Sequence, residues 1–200
     1  MRNHPLLAGT SLLLLMFTGC ISIKNRSAHE SWPKPLKASA AKQFDGVYRN
    51  RSLDARTGDA TNRGQQLFDF LTGHGHWPPR DGQYVELHAA PGGNVLHVRL
   101  LDGQRQEIDS TNLLCTVHFD LSGGSVILHG PFSGWHGTDG NLGPYTQHRG
   151  SRLYLSTSGD LLGKSTEWGA CLLFCLIPTI GYSKQWMSWP AAPPPRGATP

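Results

Sequence analysis

Apolar and polar residues alternate at every second position in several stretches of this chain. The clearest examples are residues 84–89 and residues 94–100, which flank Pro91-Gly92-Gly93. Alternation with a period of two is typical of β-strands that bury one face, and a Pro-Gly-Gly segment is typical of a turn. The pattern therefore predicts an antiparallel hairpin whose loop is Gly92-Gly93.

This loop sets which residues lie opposite each other. One face pairs Val85 with Leu100, Leu87 with Val98 and Ala89 with Leu96, and the other pairs Glu86 with Arg99 and His88 with His97. Residues 113–121 and 126–130, joined through Gly123-Gly124, predict a second hairpin in the same way. It pairs Phe119 with Leu128 and Leu121 with Val126 on one face, and His118 with His129 on the other. Both hairpins fit an antiparallel meander.

Other stretches complete the predicted fold. Further strands are expected at 44–48, 104–108, 151–157, 161–168 and 182–189. Residues 62–71 predict one short helix, because four large apolar side chains cluster there and Gly73 is placed to stop it. The sequence therefore predicts a mainly β protein: a single antiparallel meander barrel or sandwich of about eight strands with one short helix.

Composition supports this prediction. Glycine (24) and proline (14) make up 19% of the 200 residues, against a usual share of about 12%. Both residues interrupt helices, so this excess favours short strands joined by turns. Charged residues account for only 16% of the chain, which argues against disorder over most of its length.

The N-terminus has the pattern of a secretory signal, with Arg2, an apolar run over residues 12–17 and then Thr18-Gly19-Cys20. Phe17-Thr18-Gly19-Cys20 resembles the lipobox of bacterial lipoproteins, in which small residues precede an obligatory cysteine. The resemblance implies cleavage before Cys20, lipid on its sulfur and amino group, and membrane anchoring. Because Ile21 is not aspartate, it also implies the outer membrane, with the domain facing the periplasm.

The alternative is an uncleaved transmembrane helix or an ordinary signal peptide. The interrupted apolar run is shorter than the ~20 residues that a bilayer span needs, which disfavours the helix. Residues 1–19 are then a signal peptide, 20–43 a lipidated flexible tether, 44–190 the β-domain and 191–200 a proline-rich disordered tail. Without the signal peptide, 17 basic residues face 14 acidic ones, a net charge of +3 that is too small to indicate nucleic-acid binding.

The size of the domain and the Gly46-x-Tyr48 spacing of its first strand resemble lipocalin barrels. This resemblance implies an alternative function, a carrier that holds a small apolar ligand inside the barrel. A hollow interior would support the carrier, whereas a filled core would reject it.

Ten histidines are about twice the usual number. The predicted pairing brings His88 near His97 and His118 near His129, and two imidazoles across a strand pair can share Zn or Cu. Because these positions alternate with the apolar face, ordinary surface histidines are the other interpretation. A metal-binding module is thus a further alternative function; otherwise no cofactor is expected beyond the lipid on Cys20.

Residues 130–150 are the longest irregular stretch, with six glycines and several aromatic side chains. Long loops often carry binding residues. Trp135, His136 and Tyr145 in this loop, together with Trp186, are therefore the candidate ligand-binding residues. The alternative is an ordered excursion whose aromatic side chains cap the core.

Residues 169–178 are the most apolar segment after the signal peptide. The nine residues before Pro178 are too few to span a bilayer. One interpretation is a buried strand or short helix. The other is an exposed patch that meets a partner or the membrane surface.

Three cysteines remain besides Cys20: Cys115, Cys171 and Cys175. In an oxidising compartment we expect one disulfide and one thiol. On one strand, Cys171 and Cys175 would lie about 13 Å apart, too far for a bridge. A disulfide from Cys115 is then preferred, with three buried thiols as the alternative.

No nucleophile motif and no phosphate-binding glycine loop occurs in the sequence, so no catalytic residues are assigned. The sequence predicts a non-enzymatic, lipid-anchored envelope lipoprotein. Its expected partners are the membrane, through the anchor, and envelope proteins or a small apolar ligand.

Overall fold

The computed structural model of the 200-residue chain describes most of the predicted β-domain. The described residues are 20–25, 28, 31–53, 65–73, 81–129, 134–136, 142–173 and 177–193. Within these ranges, no helix has the length and apolar character needed to cross a bilayer.

The described residues form eleven strands, a 3-10 helix at Ala41–Phe44 and an α-helix, α1, at Leu67–Thr72. The strands are β1 Cys20–Asn25, β2 Gly46–Arg49, β3 Tyr84–Ala89, β4 Val95–Leu101, β5 Glu107–Leu114, β6 Phe119–Ser122, β7 Ser125–Leu128, β8 Gly134–His136, β9 Leu142–Leu155, β10 Leu161–Leu173 and β11 Ile177–Trp189. The mainly β prediction is confirmed, with more strands than the eight expected.

The strands form two sheets. The smaller sheet has the order β2-β3-β4-β5 and is an antiparallel meander. The larger has the order β1-β11-β10-β9-β7-β6, with β8 paired to β9. Its strands pair antiparallel except for β1, which runs parallel to β11. Of the two predicted architectures, these separate sheets fit the sandwich.

Both sheets contribute to one hydrophobic core. Its largest fully buried side chains are Trp189, Phe44, Phe119, Leu67, Leu87, Leu96, Leu100, Leu153 and Leu161. Alternation explains the contribution of β3 and β4, since every second residue of these strands faces inward. In the described part of the chain, strands of both sheets and helix α1 therefore share one cluster of buried side chains.

Both predicted hairpin registers are confirmed. Val85 lies opposite Leu100 in the first hairpin, and Phe119 lies opposite Leu128 in the second. Gly123-Gly124 forms a two-residue loop with φ values of 61° and 83°, a backbone conformation that favours glycine. The first loop is longer than the expected Gly92-Gly93. The last strand pair is Ala89 with Leu96, and the chain turns over residues 91–94.

Helix α1 is six residues long and starts later than the predicted 62–71, of which 62–64 lie outside the described residues. It ends as expected at Gly73, whose φ is 71°. Asn50 makes a hydrogen bond to the start of helix α1. The Asn50 side chain accepts a hydrogen bond from the Phe68 amide at 3.0 Å and donates one to the Gly82 carbonyl at 2.9 Å. Asn50 is fully buried.

The predicted strand at 113–121 is wrong as a single element. β5 ends at Leu114, β6 starts at Phe119, and the residues between them turn the chain from one sheet to the other. The His118 amide donates to the Leu114 carbonyl, and Thr116 has a φ of 67°. No glycine or proline marks this turn, so the alternating pattern hides it.

The predicted tether at 20–43 contains ordered structure. β1 pairs with β11, and Trp32 and Ala38 are buried at 9% exposure. The Leu36 amide donates to the Leu155 carbonyl and the Ala38 amide to the Gly124 carbonyl. Residues 31–43 are therefore part of the domain, because burial and backbone hydrogen bonds outweigh their polar composition.

The predicted irregular stretch 130–150 is also partly wrong. Residues 134–136 form β8, and residues 142–150 form the first part of β9. The rest of this stretch lies outside the described residues. Because β10 offers a full-length pairing edge, even a glycine-rich segment is extended along it.

Candidate functional site

Four of the eight large exposed apolar side chains in the described chain lie on β1 and on the long strands β10 and β11. Leu161 and Trp189, at one end of this strand pair, are fully buried. Farther along, Trp168 is 49% exposed, Ile180 53% and Tyr182 41%, and Ile23 on the neighbouring strand β1 is 69% exposed. Exposed apolar side chains that share one surface are unusual and indicate an interaction site.

Strand register places these four side chains on the same face. Tyr182 lies opposite Trp168 on β10 and opposite Ile23 on β1. Ile180 is two residues from Tyr182 and so points to the same side of the sheet. Met187 and Trp189, in the core, occupy the alternate positions of β11 and point to the other side.

Basic residues occupy the same face nearer the core end. Lys164 lies opposite Arg152 on β9 and opposite Trp186 on β11, with its Nζ 5.9 Å from the Trp186 ring centroid. Lys184 lies two residues from Trp186 on the same side. Partial desolvation, and then the charges of Lys184 and Arg152, lower the pKa of Lys164.

We call this surface the outer hairpin face. Its basic end consists of Arg152, Lys164 and Lys184, and its apolar end consists of Ile23, Trp168, Ile180 and Tyr182. At about 3.3 Å per residue, roughly 13 Å of strand separates Lys184 from Ile180. Glu167 is the only carboxylate in β1, β9, β10 and β11, and its register places it on the opposite side of the sheet.

The candidate lipidation residue lies beside the apolar end. Cys20 is the first residue of β1 and lies opposite Thr179, next to Ile180. The predicted apolar segment 169–178 forms the far ends of β10 and β11, apart from residues 174–176, which lie outside the described residues. Its backbone therefore continues beyond the apolar end of the outer hairpin face.

The structure does not bring the four candidate ligand-binding residues together. His136 lies opposite Tyr145, and Trp135 is next to it on β8, but their side chains lie outside the described set. Tyr145 lies opposite Cys171, seven residues along β10 from Lys164, which lies opposite Trp186. This places the Tyr145 and Trp186 backbones roughly 23 Å apart along the strands. Trp186 instead contacts Tyr154, with ring centroids 5.7 Å apart.

The first predicted histidine pair is confirmed as a pair. The His88 and His97 rings are stacked, with centroids 6.2 Å apart. His97 Nδ1 lies 2.6 Å from the side-chain oxygen of Asn112, and His88 Nδ1 lies 3.4 Å from a carboxylate oxygen of Asp45. Both rings therefore have protein partners at one nitrogen.

The other two histidines lie across the backbone from each other, where the His129 amide donates to the His118 carbonyl. Their side chains have separate partners: His118 Nδ1 accepts from the Leu114 amide, and His129 Nε2 lies 2.8 Å from Asp120. In the described ranges, no group of three or more His, Cys, Asp or Glu side chains is placed to hold a metal ion.

A shallow groove of about 530 Å³ covers the outer side of the meander sheet. Arg99 crosses it and donates to Glu86 at 2.6 Å and to Glu107 at 2.7 Å. Hydrogen bonds from Ser110 and then Arg99 lower the pKa of Glu107. Arg99 therefore pairs with both carboxylates of the groove at the surface of the sheet.

Of Cys115, Cys171 and Cys175, only Cys115 has a side chain among the described residues. Cys115 is a free thiol, half-buried at the turn between the two sheets, so the preferred disulfide from this residue is not formed. Cys171 lies on β10, but its side chain and all of Cys175 lie outside the described residues.

Sequence reasoning missed the outer hairpin face, although a signal for it is present. Every second residue of β11 reads Ile180, Tyr182, Lys184, Trp186, while the residues between them are Gly181, Ser183 and Gln185. This pattern places two apolar residues, then a lysine and a tryptophan, on one side of the strand. The residues on the other strands could be added only after the pairing of β1, β9 and β10 was known.

Comparison with protein-family models, curated proteins and solved structures gives no match.

Proposed function

We propose that this protein is a non-enzymatic lipoprotein of the cell envelope, anchored in the outer membrane through lipid on Cys20. The observation that carries the proposal is the sequence Phe17-Thr18-Gly19-Cys20 at the end of an apolar run, which resembles a lipobox. The β-domain, facing the periplasm, then acts through surface contacts with envelope components.

The position of Cys20 supports this proposal. Lipid on Cys20 would leave the domain beside Ile180 and the apolar end of the outer hairpin face, where exposed Trp168 and Tyr182 accompany it. Acyl chains bind membranes with about 0.8 kcal/mol per buried methylene group. The acyl chains on Cys20 would therefore hold the domain at the bilayer with this face nearby.

The polar clusters of the domain are consistent with a binding role. Arg99 is paired with Glu86 and Glu107, and His129 is paired with Asp120. Catalytic acids and bases usually combine burial with a perturbed pKa, whereas these groups lie at the surface and compensate each other.

The anchor is tested by labelling the protein with a palmitate analogue in a bacterial host that processes lipoproteins. We expect label in the wild-type protein and in Cys115→Ala, the matched control, and none in Cys20→Ala. Mass spectrometry of the mature protein should find a modified N-terminal Cys20. Label that persists in Cys20→Ala, or a mature chain that retains residues 1–19, would contradict the proposal.

A further inference from the structure

We propose that the outer hairpin face is a second membrane contact, which binds anionic phospholipid headgroups through its basic end and enters the headgroup region through its apolar end. This inference deepens the proposed function, because it names the surface that the anchored domain binds and the side by which it binds.

The exposure of the apolar end is the first argument. Four apolar side chains are exposed on a single side of three neighbouring strands. Ile23 and Ile180 are more than half exposed, Trp168 is 49% exposed and Tyr182 is 41% exposed. Tryptophan and tyrosine prefer the membrane–water interface, because the ring is apolar and its polar atom can remain hydrated. Two isoleucines beside two such rings match the boundary between headgroups and acyl chains.

Charge complementarity identifies the partner. The three cations of the basic end lie on one side of the sheet, and the only carboxylate of β1, β9, β10 and β11 lies on the other. Among the described residues, none of these cations forms an ion pair with a carboxylate. Clustered lysine and arginine beside apolar surface attract anionic lipids. A second copy of the chain would bring the same three positive charges to the interface.

The apolar end and the basic end follow each other in the same order as the acyl chains and the phosphates of a bilayer. Cys20 and the apolar end lie together, and the basic end follows roughly 13 Å along the strands, at about 3.3 Å per residue. Acyl chains on Cys20 would enter the membrane beside the apolar end. The longer lysine and arginine side chains would then reach the phosphates from the level above.

The first experiment measures flotation of residues 20–200, the chain without its signal peptide, with lipid vesicles, in a Cys20→Ala background that removes the proposed anchor. The vesicles contain about 30% phosphatidylglycerol in phosphatidylcholine, or phosphatidylcholine alone. We expect the double variant Lys164→Glu with Lys184→Glu to bind the anionic vesicles at least about ten-fold more weakly, because each cation contributes on the order of a factor of five.

The matched control is Lys34→Glu with Lys42→Glu, which makes the same change in net charge at two exposed lysines outside this face. We expect it to weaken binding by less than about a factor of three, since distant charges are screened. Equal losses in the two double variants, or equal binding to neutral and anionic vesicles, would overturn the proposal.

A second measurement does not depend on charge reversal. The acylated protein is reconstituted into vesicles whose lipids carry bromine on the acyl chains, which quenches nearby tryptophan fluorescence. Trp168→Phe should remove a quenched component, whereas Trp32→Phe, at a buried tryptophan, should leave quenching unchanged. No difference between the two variants would show that Trp168 is not at the membrane.

The outcomes separate this inference from the proposed function. If Cys20 carries no lipid but flotation depends on Lys164 and Lys184, the second contact stands and the anchor fails. If Cys20 is acylated but both measurements show no effect, the anchor stands and the second contact fails. Sedimentation without lipid tests whether a second copy of the chain binds this face instead. A dimer that is abolished by Lys164→Glu with Lys184→Glu would make this face a self-association surface and overturn the proposal.

Discussion

Asn50 and Tyr48 are buried polar residues that join elements distant in the sequence. Asn50 connects helix α1 to the Gly82 carbonyl beside the meander sheet. The Tyr48 hydroxyl donates to the Phe44 carbonyl at 3.0 Å, and its ring packs under Gly46, where a Cβ would lie 3.0 Å from the hydroxyl. Tyr48 lies in the predicted strand 44–48, but nothing in the local pattern singled out Asn50.

Tyr48 makes the free energy of unfolding depend on pH in the alkaline range. Burial, and then the charges of Asp45 and Asp160, raise the pKa of Tyr48 from 10.0 to about 12. The folded protein therefore keeps a proton that the unfolded chain releases near pH 10. This contribution is fully present below pH 10 and is lost as the pH rises toward 12, by up to on the order of 2 kcal/mol.

We expect Tyr48→Phe to lower the free energy of unfolding by about 1 kcal/mol at neutral pH, because a buried hydrogen bond is lost. Above about pH 10 the difference from the wild type should shrink, since only the wild type has the phenol. Urea unfolding at a series of pH values measures this, with Tyr84→Phe, at a half-buried tyrosine, as the control. A difference that does not change with pH would refute the role given to Tyr48.

The long strands of the larger sheet differ from the other strands in that they continue past the core. Their core ends are closely packed: a Cβ on Gly163 would lie 2.5 Å from the Trp189 ring and 3.1 Å from Phe70. Their far ends are open, and a Cβ on Gly181 would have no neighbour within 4 Å. One strand pair therefore serves as core at one end and as exposed surface at the other.

This contrast predicts different effects for two glycine substitutions. Gly163→Ala should destabilise the protein by about 1–3 kcal/mol, because Trp189 is fully buried and has no room to move. Gly181→Ala should change stability by less than about 0.5 kcal/mol. Thermal unfolding measures both, at roughly 2–4 °C per kcal/mol for a chain of this size. Equal melting temperatures for the two variants would contradict the packing described for Gly163.

The chain before β2 closes one side of the sandwich. The Leu36 amide donates a hydrogen bond to the Leu155 carbonyl in the larger sheet. The Ala38 amide donates one to the Gly124 carbonyl in the loop between β6 and β7. Trp32 and Ala38 are buried against the domain. The domain therefore begins earlier than residue 44, and the proposed anchor Cys20 lies on the larger sheet itself, paired with Thr179.

Hydrogen–deuterium exchange tests this docking. The Leu36 and Ala38 amides should exchange at least about ten-fold more slowly than the Lys37 amide, which has no acceptor among the described residues. The reason is that exchange requires the backbone hydrogen bonds to open. Fast exchange at all three amides would mean that residues 31–43 form a free tether.

Local sequence determined the parts of this protein that depend on neighbouring residues. Alternation every second residue predicted both hairpin registers, Gly123-Gly124 predicted the tight loop, and Gly73 predicted the end of helix α1. The lipobox resemblance at Cys20 is local in the same sense and remains a proposal. These features need only backbone geometry and the separation of apolar from polar positions.

Tertiary structure alone decided how the elements combine. The pairing of β1 with β11 joins residues about 160 positions apart in the chain. Without it, Ile23 and Tyr182 would not share a surface. The basic end depends instead on the pairing of β10 with β9 and β11, which brings Lys164 beside Arg152 and near Lys184. Long-range pairing is governed by burial and by the satisfaction of backbone hydrogen bonds across the whole sandwich, and no short stretch of sequence carries that information.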